Sequence, residues 1–287
     1  MIYVSTGGLK NSTGLSTSKY FASNKINAVE LSGGLPDMCQ LKSLKKLNSY
    51  IKFQIHNYFP PPHTPFVFNL ASLNSYIGNR SYKHVETAMQ WALELSTPVY
   101  SFHAGFLIDP AVNELGNRVA SKELFDRNQA MVLFLERVCA LAKRADQLGV
   151  SLLIENNVLS FNNYIEFKGN PFLMATADEC KYVMDNTPYN VNLLIDVAHL
   201  KVSAKTLDFN PTEFLEKCEP WIQAYHLSDN DGSKDSNEKI SRNSWFWPYI
   251  KRGLDYYSLE IYNASLQELL QQVQLTEKSL GQTNGKH

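Results

Sequence analysis

The chain has 287 residues, 44% of them hydrophobic, and its 27 basic and 28 acidic side chains leave a net charge of −1. That length is large for an ordinary small domain and suits a single α/β barrel, which typically runs to about 250 residues. The balanced charge counts against a dedicated non-specific nucleic-acid binder, and no apolar run approaches the length needed to cross a bilayer.

Eight apolar, strand-like runs follow one another: Ile2–Ser5, Ala28–Leu31, Phe53–His56, Val99–His103, Leu152–Glu155, Leu193–Asp196, Ala224–Leu227 and Tyr257–Ile261. Helical patterns lie between most of them. The strongest covers Arg127 to Leu148, with Ala130, Leu133, Phe134, Val138, Leu141 and Ala145 on one face and Gly149 as its stop. Thr176 and Glu179 have the spacing of a capping box opening Cys180–Met184, and Ser265 with Glu268 opens the last helix in the same way. Extra loop, Asn57–Asn69 and Leu107–Arg118, separates the third, fourth and fifth runs, and Pro60-Pro61-Pro62 forms a rigid turn in the first of these. Strand–helix alternation repeated eight times predicts a parallel sheet closed into a (β/α)8 TIM barrel. An open doubly wound sheet lacks support, since Gly7-Gly8 has neither the third glycine nor the spacing of a dinucleotide-binding turn. One domain is expected over residues 1–278, followed by a polar, frayed tail over 279–287.

Cys39, Cys139, Cys180 and Cys218 form no CxxC pair and read as buried free thiols of a reducing compartment. Met1-Ile2-Tyr3-Val4 enters a strand without a basic or apolar leader, so a cytoplasmic protein is expected. The sequence leaves a homodimer open.

Chemistry in such a barrel sits at the C-terminal strand ends. The second run ends near Glu30, the third in His56, the fourth in His103, the fifth in Glu155, the sixth in Asp196, the seventh in His226 and the eighth near Glu260. A single strand-end carboxylate is usually a helix cap or an ion-pair partner, and Glu30, which precedes Leu31-Ser32-Gly33-Gly34, is read as a cap of that turn. The isolated His63 and His84 read as ordinary surface or core residues. Four consecutive strands ending in Glu155, Asp196, His226 and Glu260 are different. Three carboxylates and an imidazole converging on one point would repel or protonate without a cation, so the set reads as a divalent-metal site. Oxygen-rich ligation suits Mn²⁺, Mg²⁺ or Co²⁺, and added imidazoles favour Zn²⁺. His56 and His103 could hold a second ion, with Glu155 as the bridge.

The strand ends also resemble a family. Gln54-Ile55-His56, Phe68-Asn69-Leu70-Ala71-Ser72, Phe102-His103-Ala104-Gly105, Ile154-Glu155-Asn156, Asp196-Val197-Ala198-His199 and His226-Leu227-Ser228-Asp229-Asn230 are similar to motifs of the xylose-isomerase-like barrel superfamily. That superfamily holds sugar isomerases and epimerases together with the endonuclease IV type of abasic-site nuclease. The resemblance implies the same shared metal site, Glu155, Asp196, His226 and Glu260. The nuclease branch adds His56, His103 and a third zinc held by His199 and an Asp-x-His, which here is Asp235-Ser236-Asn237 with asparagine in place of histidine. The epimerase branch implies that Glu155 and Glu260 flank a substrate carbon, one removing a proton and the other returning it, with His199 against the sugar. Two further epimerase positions depart from that pattern, at Phe161 and Gly232. Substrate hydroxyls could instead be met by Lys201, Asn156, Asp229 or the aromatic Trp245 and Trp247. The expected function is a divalent-metal-dependent sugar isomerase or epimerase, with a small-molecule sugar as its partner rather than nucleic acid or a membrane. The alternatives are a zinc-dependent abasic-site nuclease and a sugar-binding barrel without catalysis.

Overall fold

The computed structural model describes residues 1–9, 11–114, 119–120 and 122–281. Eight parallel strands among them pair in chain order and close on themselves. They are β1 (Ile2–Ser5), β2 (Ala28–Leu31), β3 (Lys52–His56), β4 (Val99–His103), β5 (Ser151–Glu155), β6 (Val191–Asp196), β7 (Ile222–Leu227) and β8 (Tyr256–Leu259). Closure comes from β1 against β8, where Ile2 faces Tyr257 and Val4 faces Leu259. The helices used below are α1 (Gly14–Ser23), α2 (Leu41–Leu47), α3 (Ser75–Glu94), α4 (Arg127–Leu148), α5 (Phe161–Phe167), α6 (Ala177–Asp185), α7 (Val197–Leu207), α8 (Pro211–Cys218) and α9 (Leu266–Leu280). None of the helices among the described residues is long and apolar enough to cross a membrane.

Successive side chains of a strand point to opposite faces, and this period of two organises the molecule. Val29 and Leu31, Phe53 and Ile55, Leu152 and Ile154, Leu193 and Ile195, Tyr225 and Leu227, and Tyr257 and Leu259 join the large core shared with the helices. The intervening residues build a second, smaller cluster inside the barrel: Tyr3, Leu153, Leu194, Ala224 and Tyr256, with Ala28 and Val99 packed against it. Two residues further along each of these strands, on the same face, stands a buried polar side chain. They are Ser5, Glu155, Asp196, His226, Ser258, Glu30 and Ser101 respectively. The register aligns them laterally: Ser5 lies beside Glu30, His56 beside Ser101, and Asp196 beside His226, which lies beside Ser258. An irregularity between Leu193 and Leu194 sets Ile222 and Ala224 against adjacent residues of β6 and restores this alignment. The barrel interior is therefore an apolar floor carrying a polar layer at the C-terminal end.

The boundaries shift slightly from the expected ones. β8 ends at Leu259, and Glu260 lies just beyond it, its amide donating to Leu227 O at 3.3 Å. α4 begins at an Asp126 cap that accepts from the Gln129 amide, and it ends at Gly149 with φ of +66°, the left-handed conformation glycine adopts without penalty. The Ser265–Glu268 capping box forms in full. The expected Thr176 box does not: Thr176 makes no side-chain cap, and the Glu179 carboxylate that would complete the box is engaged by Arg127 and by the Met174 amide at 2.6 Å. α9 continues through Leu280 to a Gly281 cap, so residues 279–281 are ordered helix end rather than frayed tail, and 282–287 lie outside the described residues. The loop expected over Leu107–Arg118 is described only to Glu114. Cys180 and Cys218 are buried free thiols as expected, whereas Cys39 is exposed.

The two caps make a contrasting pair of predictions. Ser265→Ala removes a formed cap and is expected to cost about 1 kcal/mol, within the ~0.5–2 kcal/mol range of such losses. Thr176→Ala removes no cap hydrogen bond and should cost clearly less. Urea unfolding of both variants checks this, and equal losses would contradict the cap assignment.

Candidate metal centre

Glu155 stands at the middle of the polar layer, with none of its surface exposed. Its Oε2 lies 3.3 Å from His56 Nε2 and 3.5 Å from His103 Nε2. Its Oε1 lies 3.3 Å from His199 Nδ1 and 3.4 Å from His226 Nδ1. Neither oxygen has a hydrogen-bond partner among the described residues. His226 Nδ1 also lies 3.6 Å from Glu260 Oε2 and is likewise without a hydrogen bond. Three ligand triples have their donor atoms within 4.8 Å of one another: Glu155, Asp196 and His226; His56, His103 and Glu155; and His56, His226 and Glu260.

Orphaned buried donor atoms of this kind are what a cation requires. Metal–ligand bonds of about 2.1 Å in a tetrahedral shell place neighbouring ligand atoms about 3.4 Å apart. The 3.3–3.6 Å separations around Glu155 and His226 match that edge. Three carboxylates and several imidazoles also make a donor set in which oxygen and nitrogen are mixed, suiting Mn²⁺, Co²⁺ or Zn²⁺. The residues present fit the group.

Each ligand is fixed by local structure. Asp196 ends β6 and begins α7, and it serves both. Its Oδ1 caps the helix, accepting from the Ala198 amide at 2.7 Å and the His199 amide at 2.8 Å, while Oδ2 is left without a partner among the described residues. Cap and candidate ligand are thus compatible in Asp196: one oxygen caps the helix and the other stays available to a cation. His226 is held from behind by Glu30, whose Oε2 accepts from Nε2 at 2.8 Å. Tyr256 donates to the same oxygen. Glu30 does not cap the Leu31–Gly34 turn as expected from the sequence. There the Ser32 amide donates to the Thr6 hydroxyl instead, and the fully buried Glu30 carboxylate belongs to the site. The signal for it was present, since Glu30 has the same parity as Glu155 and Asp196 on their strands. Ser101 and Tyr256 were harder to find, because neither is a charged strand end.

The electrostatics follow from burial and crowding. Burial pushes Glu260 up to about 8, assisted by the negative charges of Glu30, Glu155 and Asp196 and opposed by His226. Burial likewise raises Asp196 to about 6. Burial alone would raise Glu155 too, but the imidazoles around it, His103 and His226 foremost, hold it well below the usual carboxylate range. Glu30 is held near 2 against its burial, chiefly by His226. Burial opposes the charged form of His226, but Glu30, Glu260 and Glu155 overcome it and keep this imidazole protonated well above its ordinary value. Burial instead prevails at His56, which falls to about 3.

Several expected substrate contacts are committed elsewhere. Asn156 uses both ends of its amide on the Asp196 backbone, accepting from its N–H at 2.8 Å and donating to its carbonyl at 3.2 Å, and so holds the end of β6 in place. Lys201 is paired with Asp229 at 2.7 Å, and Asp229 also accepts from Ser244 at 2.7 Å. These two therefore tie α7 to the loop after β7. Trp247 is buried with its N–H on Ser241 O at 2.7 Å, a packing role. Trp245 differs, since its buried indole N–H has no partner among the described residues. His199 lies 3.3 Å from Asp235, so the structure does bring these two together. Asn237 is buried nearby in the chain, and its backbone carbonyl accepts from the Tyr262 amide at 3.0 Å. The Phe68–Ser72 motif is structural: Asn69 donates to Phe106 O, Ile108 O and Asp109 and accepts from the Ala71 and Phe106 amides. A side chain at Gly105 would meet the Ala71 Cβ at 2.4 Å, which explains the glycine that ends the Phe102–Gly105 motif.

The sequence profile described as "Xylose isomerase-like TIM barrel" matches residues 22–263. No curated protein matches the chain in sequence. Among solved structures, a D-tagatose 3-epimerase-like protein is similar at 19% identity with a TM-score of 0.74, covering 98% of this chain and 97% of the other. The TTHB071 protein from Thermus thermophilus, soaked with ZnCl2, is 19% identical with a TM-score of 0.63 over 96% of this chain and 98% of that one. D-psicose 3-epimerase with D-tagatose, from Clostridium cellulolyticum, is 13% identical with a TM-score of 0.65, covering 97% of each chain. At these identities the likeness is one of fold.

The raised Glu260 carboxyl gives a pH prediction. A group that binds its proton more tightly folded than unfolded contributes stability below its unfolded value, about 4.3, and loses it as pH rises through the folded value, about 8. Glu260→Gln mimics the protonated acid and cannot ionise. In chelator-treated protein the variant should therefore gain melting temperature over the parent at pH 9 but not at pH 5. Thermal unfolding at both pH values checks this, and an equal shift at both would contradict it.

Proposed function

The chain belongs to the xylose isomerase-like TIM barrel family, and from that premise we propose that it is a divalent-metal-dependent isomerase or epimerase acting on a small sugar or sugar derivative. The observation that carries this reading is the pair Glu155 and Glu260. The two carboxylates approach the same His226 nitrogen, at 3.4 and 3.6 Å, and both are buried at the barrel mouth, so they can flank one substrate carbon and serve as base and acid.

A bound divalent cation would supply Lewis-acid polarisation of a substrate carbonyl. Glu155, Asp196, His226 and Glu260 would hold it, and His56 and His103 could hold a second with Glu155 shared. Glu155 takes the proton from the carbon next to the carbonyl, breaking its C–H bond. Glu260 delivers a proton to the same carbon from the other side, re-forming the bond with inverted configuration. Glu155 then holds a proton and Glu260 lacks one, and exchange with solvent restores both. Of the side chains considered for substrate oxygens, the Trp245 N–H is without a hydrogen-bond partner among the described residues, whereas His199 is engaged by Asn156 O at 3.0 Å through Nδ1 and by Asp235 at 3.3 Å through Nε2. The ketose 3-epimerases of similar fold support this choice of substrate class.

A second reading has its own support. The His56, His103 and Glu155 triple and the His199–Asp235 contact suit a zinc-rich site of the kind that cleaves phosphodiesters. Asn237 counts against it, because a neutral amide is a poor zinc ligand. Nicking of abasic-site DNA by the zinc-loaded protein would reverse the ranking.

The test is turnover of a panel of ketoses in D₂O with added Mn²⁺, Co²⁺ or Zn²⁺. Deuterium should enter the carbon that is epimerised. Glu155→Gln and Glu260→Gln should each slow the reaction by about 10²–10⁴-fold, the usual share of positioned proton transfer. A fully active double variant would sink the mechanism.

A further inference from the structure

We propose that Glu30 is a positioning residue that fixes the ligating nitrogen of two imidazoles at once, through an ordered hydrogen-bond chain beneath the metal centre. The proposal rests on reading the site as a metal centre. The chain runs from His226 Nε2 to Glu30 Oε2 at 2.8 Å, from that oxygen to the Tyr256 hydroxyl, from there to Ser101 Oγ at 3.2 Å, and on to His56 Nδ1 at 3.0 Å. Every member is fully or almost fully buried, so bulk water does not complete the pattern.

The proton positions follow from what each group can do. A carboxylate only accepts, so both His226 Nε2 and Tyr256 donate to Glu30. With its proton directed at Glu30, the Tyr256 oxygen offers only lone pairs to Ser101. If Ser101 turned its proton toward His56, two lone-pair-bearing oxygens would face each other at 3.2 Å. Ser101 therefore donates toward Tyr256 at 3.2 Å, the nearer of its acceptors, with the Ile55 carbonyl at 3.5 Å, and in either case accepts from His56 Nδ1–H. The two imidazoles are left with opposite nitrogens for a metal, Nδ1 on His226 and Nε2 on His56. Those are the atoms nearest Glu155, at 3.4 and 3.3 Å. The rings themselves are edge to face, with centroids 4.7 Å apart. A carboxylate behind a ligating histidine is a common device that orients the ring and raises its basicity. Here one carboxylate reaches two rings, directly and through two hydroxyls.

The experiment uses the full chain and Zn²⁺. Binding is measured by calorimetry on the parent, Glu30→Gln and Tyr256→Phe, and histidine tautomers are read from ¹⁵N chemical shifts. Glu30→Gln should weaken Zn²⁺ binding by about 10–100-fold, the usual effect of losing such a partner. Tyr256→Phe cuts the chain between Glu30 and Ser101. It should leave the Zn²⁺-loaded His226 protonated on Nε2 while His56 loses its fixed Nδ1–H form. The Tyr256 variant keeps the buried carboxylate and its His226 bond, so it tests the chain even if Glu30→Gln folds poorly. Unchanged Zn²⁺ affinity in Glu30→Gln, or an unchanged His56 tautomer in Tyr256→Phe, would overturn the proposal while leaving the metal centre standing. A parent protein that binds no Zn²⁺ would overturn both.

Discussion

A fully buried carboxylate with no hydrogen bond is among the most costly groups a protein can contain, and among the described residues Glu155 is one. An isolated charge in such a place would protonate. Glu155 instead sits among the imidazoles of His56, His103, His199 and His226, each within 3.5 Å of one of its oxygens. The charge of Glu155 and the protonation of His226 support each other, and Glu260 absorbs the excess negative charge by holding its proton. The arrangement of the barrel mouth follows from this one requirement. Every strand that reaches the centre either answers that carboxylate or supports a residue that does.

Stability and chemistry are separated by layer. The large core lies between the strands and the helices, and the barrel interior adds only the small apolar floor. The polar layer above can therefore hold unsatisfied oxygens and nitrogens without weakening the packing that maintains the fold. Asparagine amides fasten this layer to the backbone. Asn69, Asn156 and Asn230 each cross from one loop or strand end to another, and Asn157 donates to the carbonyls of Ala104, Gly105 and Leu173. Because amides do the fastening, the carboxylates and imidazoles at the centre keep free atoms.

Much of this was legible in the sequence, for a physical reason. Strands buried on both faces are apolar almost throughout, so a charged residue at the end of one stands out, and seven strand ends did so. Parity then converts a strand end into a direction, and the barrel converts seven directions into one point. What stayed hidden was the second partner of each group. Glu30 was visible as a charged strand end, but sequence spacing cannot distinguish a turn cap from a carboxylate that reaches His226 196 residues away. Tyr256 and Ser101 look like ordinary strand residues because their hydroxyls matter only once the strands are neighbours. The pairings of Lys201, Asp229 and Asn156 stayed hidden for the same reason. These residues are polar and near the mouth, but they find partners within the chain, and those pairings depend on tertiary distance alone. Thr176 shows the same limit locally, since its capping glutamate was claimed by Arg127 from another helix.

The closure of β1 on β8 has a kinetic side. The first and last strands pair across more than two hundred residues, and such non-local contacts are reached only after a large loss of chain entropy. Glu30 meets Tyr256 through that same joining of the chain's two ends. The centre is therefore complete only when the two ends of the chain have met. Until then the strands carry separate, hydrated acids and imidazoles that have no reason to gather. A nascent chain emerging from the ribosome holds the ligands His56, His103, Glu155 and Asp196 well before Glu260 is made. A complete set of converging side chains thus exists only once the whole barrel is made.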